Sequence, residues 1–221
     1  MTIMRKVWMT VAFFLVLAAQ VVSAQNDEKA EKILSEVSAK TKTFKTMSAN
    51  FVFAMKNKEM DIDEKNAGSI KVKGQKYAVK LPDLGVEVFS DGKTVWNYMK
   101  DGNQVTISNV EDEGNELMTP SSIFSIYERG FRSEYVGEAN VRGKKVYKIN
   151  LFPDSDEYDV TKVEVAIDKT SMFLKTATLH STDGNLYTIL VKKMISNQNF
   201  SDTDFVFDKS KHDDVEVIDL R

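Results

Sequence analysis

The chain has 221 residues, 42% hydrophobic and 29% charged, with no cysteine and a net charge of −3 at pH 7. The lack of thiols excludes disulfides, thiolate metal sites, iron–sulfur clusters and cysteine nucleophiles, and His180 and His212 alone do not make a multi-histidine metal centre. The acidic balance argues against nucleic acid as a partner, because a polyanion needs a basic field.

The N-terminal stretch differs from the rest. Arg5 and Lys6 precede an apolar run from Val7 to Ala19, and Val22-Ser23-Ala24 supplies the small and β-branched residues of a cleavage site. The run is shorter than the ~20 residues that a bilayer span needs. The expectation is a signal peptide over residues 1–24, cleaved on export, followed by one soluble domain over 25–221. Cleavage removes two basic residues and no acidic one, which takes the net charge to −5. Of the two tryptophans only Trp96 remains.

The first element of that domain reads as a helix. Ala30, Ile33, Leu34, Val37 and Phe44 recur mainly at three- and four-residue steps, and Asp27 and Glu28 suit the positive end of the helix dipole. From Ser48 the period changes to two. Phe51, Phe53 and Met55 alternate with Val52, Ala54 and Lys56; Ile70 and Val72 alternate with lysines; Tyr77, Val79 and Leu81 alternate with Ala78 and Lys80. Asp91-Gly92 and Asp101-Gly102 separate the runs Val86–Ser90, Thr94–Tyr98 and Gln104–Ser108 as hairpin turns, and Arg142-Gly143 and Asp183-Gly184 mark later pairs. Val146–Leu151, Val160–Asp168, Phe173–Ser181 and Leu186–Ile195 complete about ten strands. Thr119-Pro120 opens a short helix through Ile123, Phe124, Ile126 and Tyr127, with Gly130 as its stop. The fold class is mainly β (α+β): an antiparallel sheet this wide curls into an incomplete barrel, with the helices covering its concave face.

Bulky groups at the inward positions permit two readings, a filled core or an apolar cavity for a lipid-like ligand, and periodicity does not separate them. The candidate cavity and lid set is Ile33, Leu34, Val37, Phe51, Phe53, Met55, Ile70, Val72, Tyr77, Val79, Val88, Trp96, Tyr98, Ile123, Phe124, Tyr147, Ile149 and Val165. Pro153–Asp159 alternates oxygen ligands but lacks the central glycine and terminal glutamate of an EF-hand, so it reads as a solvated hairpin tip. Neither His180-Ser181 nor His212-Asp213-Asp214 lies in a nucleophile motif. No enzyme activity, cofactor or metal is expected. The alternating lysines, such as Lys71, Lys73, Lys80, Lys192 and Lys193, read mostly as a solvent face.

Several stretches together resemble the LolA family, the periplasmic carriers of outer-membrane lipoproteins. These are the opening helix leading into Phe51-Val52-Phe53, and Gly68-Ser69-Ile70-Lys71-Val72-Lys73, similar to the family's glycine-led second strand. The hairpin Ser90-Asp91-Gly92-Lys93-Thr94-Val95-Trp96-Asn97-Tyr98, followed by Asn103-Gln104-Val105, resembles its S-D-G-K-x-x-W-x-Y motif. Thr119-Pro120, Phe205-Val206-Phe207 and Val217-Ile218-Asp219 follow in order.

The resemblance implies a half-barrel with helices as a lid and a cavity for acyl chains. It also implies a monomer that takes acylated lipoproteins from an inner-membrane ABC transporter to an outer-membrane acceptor, with no bond chemistry. A family arginine that helps close the lid falls at or near Gly74 here, with Lys73 or Lys76 as the nearest cation. The other readings are a lipid-sensing envelope regulatory module and a carrier of another lipid or glycolipid.

Overall fold

The computed structural model describes residues 27–112, 130–155 and 158–221. A helix, α1 (residues 27–42), is followed by twelve strands. They are β1 (Met47–Asn57), β2 (Ile62–Lys73), β3 (Lys76–Leu81), β4 (Val86–Ser90), β5 (Thr94–Met99), β6 (Gln104–Asn109), β7 (Phe131–Val141), β8 (Lys144–Pro153), β9 (Val160–Asp168), β10 (Leu174–Ser181), β11 (Leu186–Ser196) and β12 (Glu216–Asp219). All lie in one sheet of order β12-β6-β5-β4-β3-β2-β1-β11-β10-β9-β8-β7, which does not close into a barrel. Every pairing is antiparallel except β12 on β6, which is parallel.

Two strands go beyond the ten that alternation identifies. Strand β7 pairs with β8 through a bulge between Tyr135 and Gly137, so its side chains change face midway and its period of two is broken. Strand β12 has only four residues, and its place is set by the partner edge of β6. The expected second helix, from Thr119 with Ile123 and Phe124, lies outside the described residues, as do the residues of the expected signal peptide.

Helix α1 presents Ala30, Ile33, Leu34 and Val37 to the sheet, each no more than 7% exposed. This i, i+3, i+4, i+7 stripe is the apolar face of an amphipathic helix. Asp27 Oδ1 lies 4.0 Å from Arg132 Nη1 on β7, and Lys29 Nζ stands 3.8 Å from the centre of the Tyr135 ring. At the other end Lys40 Nζ donates to Ser171 O at 2.7 Å, and Phe44 meets Phe173 edge-on at 5.6 Å. The helix is therefore tied at both ends to the β7–β10 half of the sheet. Beneath it Ile149, Leu151, Val163, Val165 and Ile167 are almost fully buried.

Strand β2 brings Gly68 opposite Phe51 of β1. A Cβ at Gly68 would stand 2.5 Å from Phe51 Cζ and 2.8 Å from Leu81 Cδ2, so the Phe51 ring lies flat across a position that has no side chain. Overpacking of this kind costs about 1–3 kcal/mol. Gly68→Ala is expected to lower stability by that amount in a denaturant titration, and Phe51→Leu in the same chain to restore part of it. Stability unchanged by Gly68→Ala would mean that the ring is not confined there.

Candidate functional site

The strand registers divide the helix-bearing face into rows that cross the sheet. One row runs Val72, Tyr77, Ser90, Val95; a second runs Ile70, Val79, Val88, Asn97; a third runs Phe51, Gly68, Leu81, Val86, Met99. Burial falls from row to row toward the rim formed by the connections 82–85 and 100–103. Tyr77, Ser90 and Val95 are buried in the first row, and Ile70 and Val79 in the second, where Val88 is half-buried. In the third, Leu81 and Val86 are half-buried and Met99 is 48% exposed. Phe53 and Tyr187, both half-buried, stack at 6.2 Å on β1 and β11. A fully buried side chain offers a ligand nothing to cover, whereas a half-buried one gains about 25 cal/mol per Å² of apolar surface removed from water. Among the described residues, the half-buried apolar side chains of this face that a ligand could still cover include Phe53, Met55, Val72, Leu81, Val86, Val88, Tyr187 and Ile189.

Of the expected cavity residues, Ile33, Leu34, Val37, Phe51, Ile70, Tyr77, Val79, Ile149 and Val165 lie buried in the one cluster beneath α1, with Phe53, Val72, Val88 and Tyr147 packed against it. Met55 is half-buried and shares this face through its register with Tyr187. Sequence reasoning misses Leu81, Val86, Tyr187 and Ile189 as site residues. Leu81 and Val86 stand at the facing ends of β3 and β4, Tyr187 and Ile189 lie in the stretch Leu186–Val191 where neither face is marked by polar residues, and only the cross-strand register sets them on the face of Phe53 and Val88.

Trp96 and Tyr98 are a correction: both lie on the opposite face. Val95 and Asn97 share the helix-bearing face with Ser90 and Val88, so their neighbours Trp96 and Tyr98 point away. There they join Phe89, Val105, Phe207 and Val215 in a second cluster. The cover on that side is the C-terminal strap, residues 197–215, which crosses from β11 to the β6 edge and ends as β12.

The strap is held by burial and by charge. Phe205 is fully buried, and Phe207 packs against Tyr98 at 5.2 Å and Phe89 at 6.2 Å. Lys71 Nζ reaches Asp204 Oδ1 at 2.7 Å, while Lys73 and Lys76 reach the two oxygens of Asp202 at 2.8 and 3.1 Å. These lysines of the supposed solvent face are strap anchors. Exposed ion pairs are screened by water and contribute little, whereas truncating a buried phenylalanine costs about 3–5 kcal/mol. The aromatics therefore hold the strap and the lysines set its register. Gly74 sits in the β2–β3 turn at φ +60°. Lys73 and Lys76, its nearest cations, are both committed to the strap side.

The other candidates separate in space. Ser181 Oγ donates to Asp159 O at 3.1 Å, while His180 Nε2 lies 3.1 Å from Glu164 Oε1, so the two form no Ser–His pair. His212 is sandwiched in the strap, 4.6 Å from the Phe207 ring and 4.4 Å from that of Tyr98. Pro153–Asp159 falls partly outside the described residues. Among the described residues no group of three or more acidic or histidine side chains is placed to hold a metal ion, and no helix is long and apolar enough to cross a membrane.

The family model for the outer membrane lipoprotein carrier protein LolA matches residues 42–208, from the end of α1 into the strap. The chain belongs to the LolA family. LolA-family proteins are periplasmic carriers that bind lipoproteins or lipids. An uncharacterized protein of Methanocaldococcus jannaschii is 25% identical over 171 residues, which cover 73% of this chain and 48% of the relative. The chain thus spans about half the length of the curated relative it matches. Among solved structures, an uncharacterized conserved protein from Thermus thermophilus superposes with a TM-score of 0.58 at 15% identity, covering 86% of this chain and 99% of that one. That likeness shows the fold. A putative outer membrane lipoprotein-sorting protein domain from Vibrio parahaemolyticus gives a TM-score of 0.46 at 13% identity, covering 81% of this LolA-family chain and 97% of that one.

The strap carries a pH signature. The hydrogen bond from Lys71 holds Asp204 below the usual carboxylate value of 3.8, and Lys73 and Lys76 do the same for Asp202. A depressed carboxylate contributes its stabilisation above the unfolded value and loses it as pH falls through the folded one. Trp96 emission is expected to stay constant down to about pH 4 and to shift slightly below it as the strap loses the register those pairs set. Lys73→Ala with Lys76→Ala should move that transition upward. An emission shift whose midpoint ignores both lysines would detach it from the strap pairs.

Proposed function

We propose that this chain is an exported carrier that shelters the acyl chains of lipoproteins on its helix-bearing face. Cleavage after Ala24 releases residues 25–221 to the periplasm as a single monomeric unit. It receives cargo from an inner-membrane ABC transporter and passes it to an outer-membrane acceptor. The observation that carries this reading is the half-buried apolar surface at Phe53, Leu81, Val86 and Val88, on a fold whose family is described by lipoprotein carriage. Half-burial suits the task. Each methylene covered contributes about 0.8 kcal/mol, so cargo is held without bond chemistry, and release needs only a competing internal state. Helix α1 supplies that state by packing Ile33, Leu34 and Val37 onto the sheet.

The test is displacement of a fluorescent fatty-acyl probe from the mature protein by a triacylated lipopeptide and by its unacylated twin. The acylated peptide should displace and the twin should not. Val88→Asp should weaken binding at least tenfold, since it places a charge on surface the chain must cover. Trp96, on the strap side, should respond little. A disulfide engineered between α1 and the β9–β10 turn, beside the Lys40–Ser171 contact, should leave the fold intact and slow transfer to acceptor vesicles. Equal displacement by both peptides would defeat the reading.

A further inference from the structure

The third row of the helix-bearing face behaves differently from its neighbours. It is apolar at four of its five positions, it is paired from β1 to β2 and from β3 to β5 with Gly68 against Leu81 between them, and its exposure climbs from 7% at Phe51 to 48% at Met99. Met99 is therefore where the row opens to water. Its inner end is closed by the Phe51 ring, which lies across Gly68 and against Leu81. Phe51 has no side chain opposite it on β2, so the ring can fill that place, and turning it away would lengthen the row by one strand.

We infer that Leu81, Val86 and Met99 form the floor of an acyl track that runs across the strands, and that Phe51 is its stop, setting the length of chain accepted. This rests on the acyl-carrier reading and adds a specificity-determining residue to it. The ligand chemistry is a straight saturated chain, from a lipoprotein or from a free lipid. The floor is three strands wide, β3 to β5, which at one spacing per strand is ~14 Å. At about 1.3 Å per methylene along a zigzag of ~1.5 Å bonds, that holds roughly eleven carbons. Removing the ring adds one spacing of ~5 Å, or roughly four carbons. Val86 and Val88, half-buried on adjacent rows of β4, give the track a wall as well as a floor. Methionine at the mouth suits variable cargo, because its flexible thioether repacks around irregular partners.

The experiment measures binding of diacyl lipopeptides, and of free fatty acids, with chains from eight to eighteen carbons. It compares the mature wild-type protein with Phe51→Leu, Phe51→Ala and Met99→Asp, each checked for folding by thermal melting. In the wild type, affinity should rise about fourfold per methylene and level off near eleven carbons. Phe51→Ala should carry the rise on for about four carbons more, and Phe51→Leu for fewer. Met99→Asp should weaken every length alike. If only lipopeptides follow this pattern, the source is a lipoprotein; if free fatty acids follow it equally, the track reads the chain alone. A plateau unmoved by either Phe51 variant in folded protein overturns the stop while leaving carriage intact. No wild-type binding of any chain overturns the carrier reading itself. Should Phe51→Ala fail to fold, Phe51→Leu decides.

Discussion

The structure depends on the packing of one amphipathic helix against an open sheet. A closed barrel satisfies its own edges and can leave its interior hollow. An open one must cover its apolar face with something, and here α1 buries Ala30, Ile33, Leu34 and Val37 on it. Because α1 is anchored to β7 and to the β9–β10 turn, burial is greatest on that side and declines toward the rim at 82–85 and 100–103. The same contact thus creates both a filled core and a surface left half-covered. The filled-core reading holds beneath α1, and only the half-covered surface toward the rim is left for the proposed carriage.

The opposite face obeys the same constraint with a different cover. Strand β5 reads Thr-Val-Trp-Asn-Tyr-Met, and both faces of it are buried, Val95 at 1% and Tyr98 at 7% exposure. A strand covered on one side only could not place large apolar groups on both faces without exposing one set to water. The strap resolves this by burying Phe205 and packing Phe207 over the sheet, with Asp202 and Asp204 setting its register. The strap face is therefore a second core, so the fold does not rest on the helix-bearing face alone.

Much of this is legible in the chain itself. The change from a 3.6 to a 2.0 period near Ser48, the Asp-Gly turns and the stripe through Ile33, Leu34 and Val37 are local signals, and local physics suffices to read them. Strand β7 escapes because the bulge at Tyr135–Gly137 breaks its alternation, and β12 because so short a strand carries no period. Trp96 and Tyr98 fall on the unexpected face for a more instructive reason. Apolar residues on both sides of a strand leave its orientation undetermined until its covers are known, and the relevant cover lies far downstream in the chain. The clue is a matched pair of charge runs, Lys71 and Lys73 against Asp202 and Asp204, whose spacing of two on each side fits a strand meeting an antiparallel or crossing segment. Charge spacing alone does not say that they meet.

A carrier has to bind strongly enough to keep acyl chains out of water and weakly enough to give them up. A chain of roughly eleven methylenes, fully covered, would contribute about 9 kcal/mol at 0.8 each, near the sub-micromolar range in which spontaneous release becomes slow. Half-buried walls do not cover a chain fully, and every ångström of helix that returns to the sheet competes for the same surface. In the proposed carrier, affinity would follow how much of Leu81, Val86 and Val88 the helix leaves uncovered. For the proposed exchange an incomplete barrel suits better than a closed one, because at its exposed rim one cover could replace another without opening the core of β8, β9 and β10.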